Sequence, residues 1–192
     1  VTAMPAEGTL LPETYDFTRG TTRAALIQRM TQAQSAVLAD LWAKRPPQTS
    51  IASPQEAVIL ASIVEKETGL PSERPHIAAV YLNRLRQGMP LQADPTVAFG
   101  IYGGQYADKP LTVADLKKET PYNTYLHRGL PPASICHPGK AAISAVLDPV
   151  ISSDLYFVAR GDGGHRFAET LETHNKNVAL YRAWEKKQRP NP

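Results

Sequence analysis

The stretch Pro54-Gln55-Glu56-Ala57-Val58-Ile59-Leu60-Ala61-Ser62-Ile63-Val64-Glu65-Lys66-Glu67 decides the fold. Ser53 followed by Glu56 forms a capping box, and Pro54 suits the first helical position, so a helix starts here. Positions 57 to 64 are apolar or small on every face, the pattern of a helix buried inside its domain. At about 100° per residue, Glu65 falls near Val58, Ala61 and Ser62, whereas Glu67 points roughly the opposite way, over Leu60 and Ile63. The two carboxylates therefore meet different surroundings.

A carboxylate at the end of a buried helix has two readings. One is a solvated last-turn glutamate, or one paired with Lys66 or a distant arginine. The other is a general acid whose pKa is raised by apolar neighbours, as cleavage of a glycosidic bond requires. Helical periodicity alone leaves both readings, and the choice between Glu65 and Glu67, open.

With 192 residues and 42% hydrophobic content, the chain is long enough for one principal domain with a sizeable core. The net charge of +3 suits a polyanionic or cell-wall surface. No dense Lys/Arg block or interleaved aromatic run points to nucleic acid. Cys136 is the single cysteine, which rules out an intramolecular disulfide and reads as a small apolar filler. No Cys/His cluster has zinc spacing, so neither metal nor other cofactor is expected. No apolar run reaches the length of a membrane span, which makes the fragment soluble by expectation. Val1-Thr2-Ala3-Met4 reads as an internal boundary rather than a natural start.

Working outward, residues 7 to 17 look extended, with Leu11, Thr14, Tyr15 and Phe17 available for packing. Thr21 or Thr22 then caps a long helix striped by Leu26, Met30, Ala33, Val37 and Leu41. Gly69-Leu70-Pro71 ends the central helix, and a third helix is expected over 72–87, closed by Gly88. From Met89 to Gly139 the chain is rich in Gly, Pro, Tyr and Asn, as a binding surface would be. Asp94-Pro95-Thr96 can cap a one-turn helix there, and Thr112 with Asp115 can start another. Pro138-Gly139-Lys140 opens a helix through Leu147. Leu155 to Ala159 and His165 to Phe167 form a hairpin around Gly161-Asp162-Gly163-Gly164. A last helix runs from about 170 to 187, with Leu171, His174, Val178 and Tyr181 on its apolar stripe, before a Pro-Asn-Pro tail. The class is α+β: a helical core around the buried central helix, with short strands and a C-terminal hairpin.

Several chemical candidates are weak. Gly161-Asp162-Gly163-Gly164 lacks the Lys-Ser/Thr ending of a phosphate loop. Ser62 and Ser134 have no accompanying triad pattern, and His165 and His174 read as structural hydrogen-bonders. Gln92, Tyr122, Asn123 and Tyr125 are types that stack on and hydrogen-bond sugars, although each also serves ordinary turns.

The wording of the chain carries more. Ala61-Ser62-Ile63-Val64-Glu65-Lys66-Glu67-Thr68, Asn83-Arg84-Leu85, Leu91-Gln92-Ala93-Asp94-Pro95-Thr96, Tyr122-Asn123-Thr124-Tyr125, Gly129-Leu130-Pro131-Pro132, Tyr156-Phe157-Val158 and Gly163-Gly164-His165 with His174-Asn175 occur in this order. Together they resemble the MltG (YceG-like) endolytic murein transglycosylases over about residues 7 to 185.

The resemblance implies an enzyme that cuts peptidoglycan glycan strands internally and leaves 1,6-anhydro-MurNAc ends. It works in the cell envelope at the periplasmic face of the cytoplasmic membrane, held by an anchor ahead of this chain. Residues 1–20 would be a remnant of, or connection to, a LysM-like subdomain, and 21–192 the catalytic domain. Peptidoglycan synthases are candidate partners. The resemblance assigns catalysis to the first glutamate of the motif, Glu65, as general acid and then base, and Gln92, Asp94, Tyr122, Asn123 and Tyr125 to the glycan groove. Asp94 could equally cap the turn at Pro95. The alternatives are a lysozyme-type hydrolase, which needs a second carboxylate, and a catalytically silent wall-binding scaffold. The label aminodeoxychorismate lyase, also given to family members, is discounted because no lysine sits in a cofactor-binding context.

Overall fold

The computed structural model describes residues 4–105 and 110–188; the Pro-Asn-Pro tail and Val1-Thr2-Ala3 lie outside them. Helix α1 spans Arg23–Lys44, and the Thr22 side chain caps it by accepting from the Ala25 N–H. The central helix α2 spans Pro54–Glu67. Its cap uses Ser53 Oγ, which accepts from Glu56 N at 3.2 Å, while Glu56 Oε2 accepts from Ala52 N at 2.9 Å. Every residue from Ala57 to Val64 is buried.

A 3-10 turn, Pro71–Glu73, precedes α3, Arg74–Arg86, so the third helix starts two residues later than its sequence pattern suggests. Helix α4, Asp94–Tyr102, is nine residues long rather than one turn. Its N-cap is Ala93, and Asp94 is the first helical residue, where a carboxylate suits the helix dipole. Helix α5 is Lys140–Leu147.

The core forms where α5 lies across α2 and α3. Leu60, Ile63 and Val64 meet Ile77, Ala78 and Tyr81, with Ile143, Val146 and Leu147 closing over them; none is more than 2% exposed. Full burial of each aliphatic side chain contributes about 1.5–3 kcal/mol, so this three-helix contact is the chief stabilising feature.

Strands β1, Tyr156–Ala159, and β2, His165–Ala168, pair antiparallel with Phe157 opposite Phe167. Directly opposed residues share a face, and these two pack against the helical core. Asn83 Nδ2 ties α3 to the lead-in of the hairpin, donating to Ser152 O at 2.9 Å and Asp154 O at 2.8 Å. Helix α6, Leu171–Gln188, covers the hairpin.

The architecture is α+β. Leu10 and Leu11 of the first segment are buried, but Phe17 is 70% exposed, Leu171 is 56% exposed and Thr14 is exposed, so three residues expected to pack do not. Among the described residues, no helix is long and apolar enough to cross a membrane.

Candidate active site

The two glutamates that close α2 meet different partners. Glu65 Oε1 accepts from Arg74 Nη2 at 3.2 Å, and its Oε2 accepts from the backbone N–H of Gly139 at 3.0 Å. Arg74 opens α3 and Gly139 caps α5. Both carboxylate oxygens are thus engaged in clamping the end of α2 to the starts of two neighbouring helices. Pro12, Glu13, Lys140 and Ser144 complete this surface. Gln92, Asp94 and Tyr125 are elsewhere, so the expected groove around Glu65 is not formed. The reason is the 200° turn between positions 65 and 67 on one helix.

Glu67, on the other side, enters a cleft lined by Tyr81, Arg84, Leu91, Gln92, Asp94, Tyr125, Phe157 and His174. The buried Tyr81 hydroxyl donates to Glu67 Oε1 at 2.5 Å. Burial raises the Glu67 pKa to about 7; the Tyr81 hydrogen bond opposes the rise, the Asp94 carboxylate adds to it, and the Arg84 cation opposes it. Near neutral pH this carboxyl can both give and take a proton.

The cleft is braced from beneath by Arg84, only 8% exposed. Its Nε donates to Leu155 O at 2.6 Å, and its Nη1 to Pro90 O, Leu91 O and Gln92 Oε1 at 3.2, 3.0 and 3.1 Å. Gln92 has φ 53°, the single left-handed non-glycine among the described residues. That conformation costs an L residue about 1–2 kcal/mol. It is held by the Gln92 N–H donating to Thr124 O at 3.0 Å and the Ala93 N–H donating to Thr124 Oγ1 at 3.0 Å. Tyr125 Oη donates to Asp94 Oδ1 at 2.6 Å. Burial and that bond push the Tyr125 pKa up, so the hydroxyl keeps its proton.

His174 at the cleft rim stacks on Tyr156, with centroids 5.2 Å apart. Burial, then Arg84, lowers its pKa, and its Nδ1 is buried without a partner. It is not the structural hydrogen-bonder its place on an apolar stripe suggests. His165 is one: its ring meets Glu73 at 2.7 Å and its N–H donates to Glu73 at 3.0 Å, beneath Phe157.

Two expected groove residues are turned away. Asn123 is fully buried; its Nδ2 donates to Leu116 O at 3.1 Å and Lys118 O at 2.8 Å, and its Oδ1 accepts from Tyr125 N at 2.9 Å. The amide is consumed in holding the loop that presents Tyr125. Tyr122 packs edge-on against Phe99, with centroids 4.8 Å apart. The sequence reading missed Tyr81, Arg84, Phe157 and His174 as cleft residues, although Tyr81 and Arg84 share a helical face at i,i+3 spacing.

Ser62 and Cys136 are not available as nucleophiles. Ser62 Oγ donates to Ile59 O at 2.7 Å and accepts from Ile135 N at 3.0 Å. Burial pushes the Cys136 thiol up to about 12, far from a reactive thiolate. Among the described residues, no group of three His, Cys, Asp or Glu side chains could hold a metal ion.

The sequence profile of the YceG-like family matches residues 2–180. The chain belongs to the YceG-like family. Its YceG-like fold resembles the crystal structure of a YceG-like protein from Listeria monocytogenes, with TM-score 0.75 and 38% identity over 88% of this chain and 54% of that one. It is 35% identical over 177 residues to a Bacillus subtilis protein named endolytic murein transglycosylase, covering 92% of this chain and 48% of the relative. A Streptococcus pneumoniae protein of the same name is 32% identical over 176 residues, covering 90% and 32%. The chain therefore spans about half the length, or less, of the curated YceG-like relatives it matches.

Proposed function

We propose that this chain carries the catalytic site of an endolytic murein transglycosylase, with Glu67 rather than Glu65 as its acid and base. The observation that supports this reading is a carboxyl with a pKa near 7 in one cleft with Gln92, Asp94 and Tyr125. Glu65 has both carboxylate oxygens engaged, by the Arg74 guanidinium and the Gly139 N–H, and it does not line that cleft.

Protonated Glu67 donates to the oxygen joining MurNAc C1 to GlcNAc. The C1–O bond breaks, its electron pair leaves with the GlcNAc oxygen, and an oxocarbenium-like centre develops at C1. Ionised Glu67 then takes the proton of the MurNAc C6 hydroxyl, whose oxygen bonds to C1. The product has a 1,6-anhydro ring, and Glu67 ends protonated, as it began. Asp94, held by the Tyr125 hydroxyl, supplies negative charge as C1 becomes positive.

A hydrolase is the second reading, because Asp94 shares the cleft with Glu67 and could hold a water. Mass spectrometry of muropeptides released by the chain separates the two: anhydro ends support the transglycosylase and reducing ends the hydrolase. Peptidoglycan as substrate implies work at the cell wall. Membrane attachment through a segment ahead of this chain and association with peptidoglycan synthases are further parts of the proposal, tested by fractionation and co-purification of the whole protein.

A further inference from the structure

Among the polar groups of the cleft, Gln92 is distinguished by the fixed identity of its free atoms. Arginine carries only donors, so the Gln92 atom 3.1 Å from Arg84 Nη1 is the amide oxygen. The amide nitrogen is the end left for a ligand. The backbone enforces this presentation: Leu91 and Ala93 on either side are 1% and 0% exposed, while Gln92 between them is exposed and left-handed. A strained residue held by its surroundings inside a cleft is a recurrent sign of a functional contact.

The neighbouring acceptors are engaged in a different way. Glu67 Oε1 already accepts from Tyr81, and Asp94 Oδ1 from Tyr125. At position 92 the cleft therefore offers the Nε2 N–H groups, neutral donors on an atom with no acceptor capacity, while one lone pair of Oε1 is taken by Arg84. The best match for these donors is a neutral acceptor with no proton of its own, an amide carbonyl. Sugar hydroxyls both give and take, whereas each acetamido group of an N-acetylated amino sugar carries such a carbonyl. An amine in its place provides none.

We propose that Gln92 is a specificity residue, donating from Nε2 to the acetamido carbonyl of a bound sugar, so that the cleft reads whether the glycan is N-acetylated. This rests on the glycan reading above and adds to it the chemical group recognised. Arg84 is then a positioning residue, acting through the orientation of the Gln92 amide.

The test is calorimetric titration of the 192-residue chain carrying Glu67→Gln, which binds without cutting. The probes are a GlcNAc-MurNAc tetrasaccharide and the same compound after chemical de-N-acetylation. The acetylated form should bind about 10-fold tighter, the weight of one hydrogen bond. Adding Gln92→Gly should shrink that ratio to about 2-fold or less, with a melting temperature equal to or above the parent's because glycine adopts positive φ freely. Gln92→Glu, which keeps length and the Arg84 contact but has no N–H, should lose the preference too. No preference in the parent, a preference that survives both substitutions, or no binding of either saccharide overturns the proposal. A preference of the expected size in a chain whose unsubstituted form cuts no murein would sink the catalytic reading and leave this one standing. Cleavage without preference would do the reverse.

Discussion

Replacing Glu67 by glutamine should make the protein more stable and inactive at once, in a pH-dependent way. Burial raises the Glu67 pKa from an unfolded value of about 4.5 to about 7. The folded state therefore binds this proton more tightly than the unfolded state. The stability it contributes is complete below pH 4.5 and is lost as pH rises through 7. At higher pH the ionised, half-buried carboxylate costs the fold roughly 3 kcal/mol relative to a neutral group. Glutamine stays neutral, and its Oε1 can still accept the Tyr81 hydroxyl. Near pH 5 the variant and parent should melt within about 2 °C of one another. At pH 8.5 the variant should melt roughly 5–10 °C higher, while release of muropeptides falls about 100-fold or more. Circular dichroism melts across this range, with turnover measured on the same samples, make the check. A stability difference that does not vary with pH would exclude a raised Glu67 pKa, and turnover near that of the parent would exclude Glu67 as the acid.

Glu65→Gln should behave in the opposite sense. It leaves the Arg74 guanidinium without its anion, both side chains being no more than 26% exposed, and should cost about 1–2 kcal/mol of stability while the folded fraction keeps most of its turnover; chemical denaturation alongside an activity assay reads both. Asn123→Ala strips three hydrogen bonds from a buried loop and should destabilise by about 2–4 kcal/mol, with activity lost only as far as the loop holding Tyr125 loosens; melting curves and turnover below the transition distinguish this from a contact with sugar. Tyr81→Phe removes the hydrogen bond that holds the Glu67 pKa down, so the alkaline limb of the pH–rate profile should move to higher pH, and an unmoved limb would separate Glu67 from the titration that limits the rate.

What could be read from sequence was what local chemistry decides. Ser53, Pro54 and Glu56 mark the start of α2 because their bonds lie within one turn. The 200° separation of Glu65 and Glu67 follows from helix geometry alone. Which of them faces the cleft does not, because that depends on Tyr81 and Arg84 of α3, Asp94 of α4 and the Tyr125 loop, brought together only by tertiary packing. The motif alone invited the choice of its first glutamate, and only the partners of Glu65, Arg74 and the Gly139 N–H, reveal that side chain as a clamp. The Asn123 amide is placed by tertiary packing in the same way. An amide suits sugar hydroxyls and stranded loop carbonyls equally, and the carbonyls of Leu116 and Lys118 claimed it. Gln92 belongs to the same residue type in the same irregular region, yet its left-handed backbone turns it toward the cleft.

The proposed acid and base is Glu67, on the Tyr81 side of α2. The most direct measurement is a crystal structure of the Glu67→Gln chain with an uncut murein tetrasaccharide. The scissile glycosidic oxygen should lie within about 3 Å of the position 67 side chain, beside Asp94 and Tyr125. Sugar bound instead across Glu65, Arg74 and Gly139, with the Tyr81 cleft empty, would contradict it.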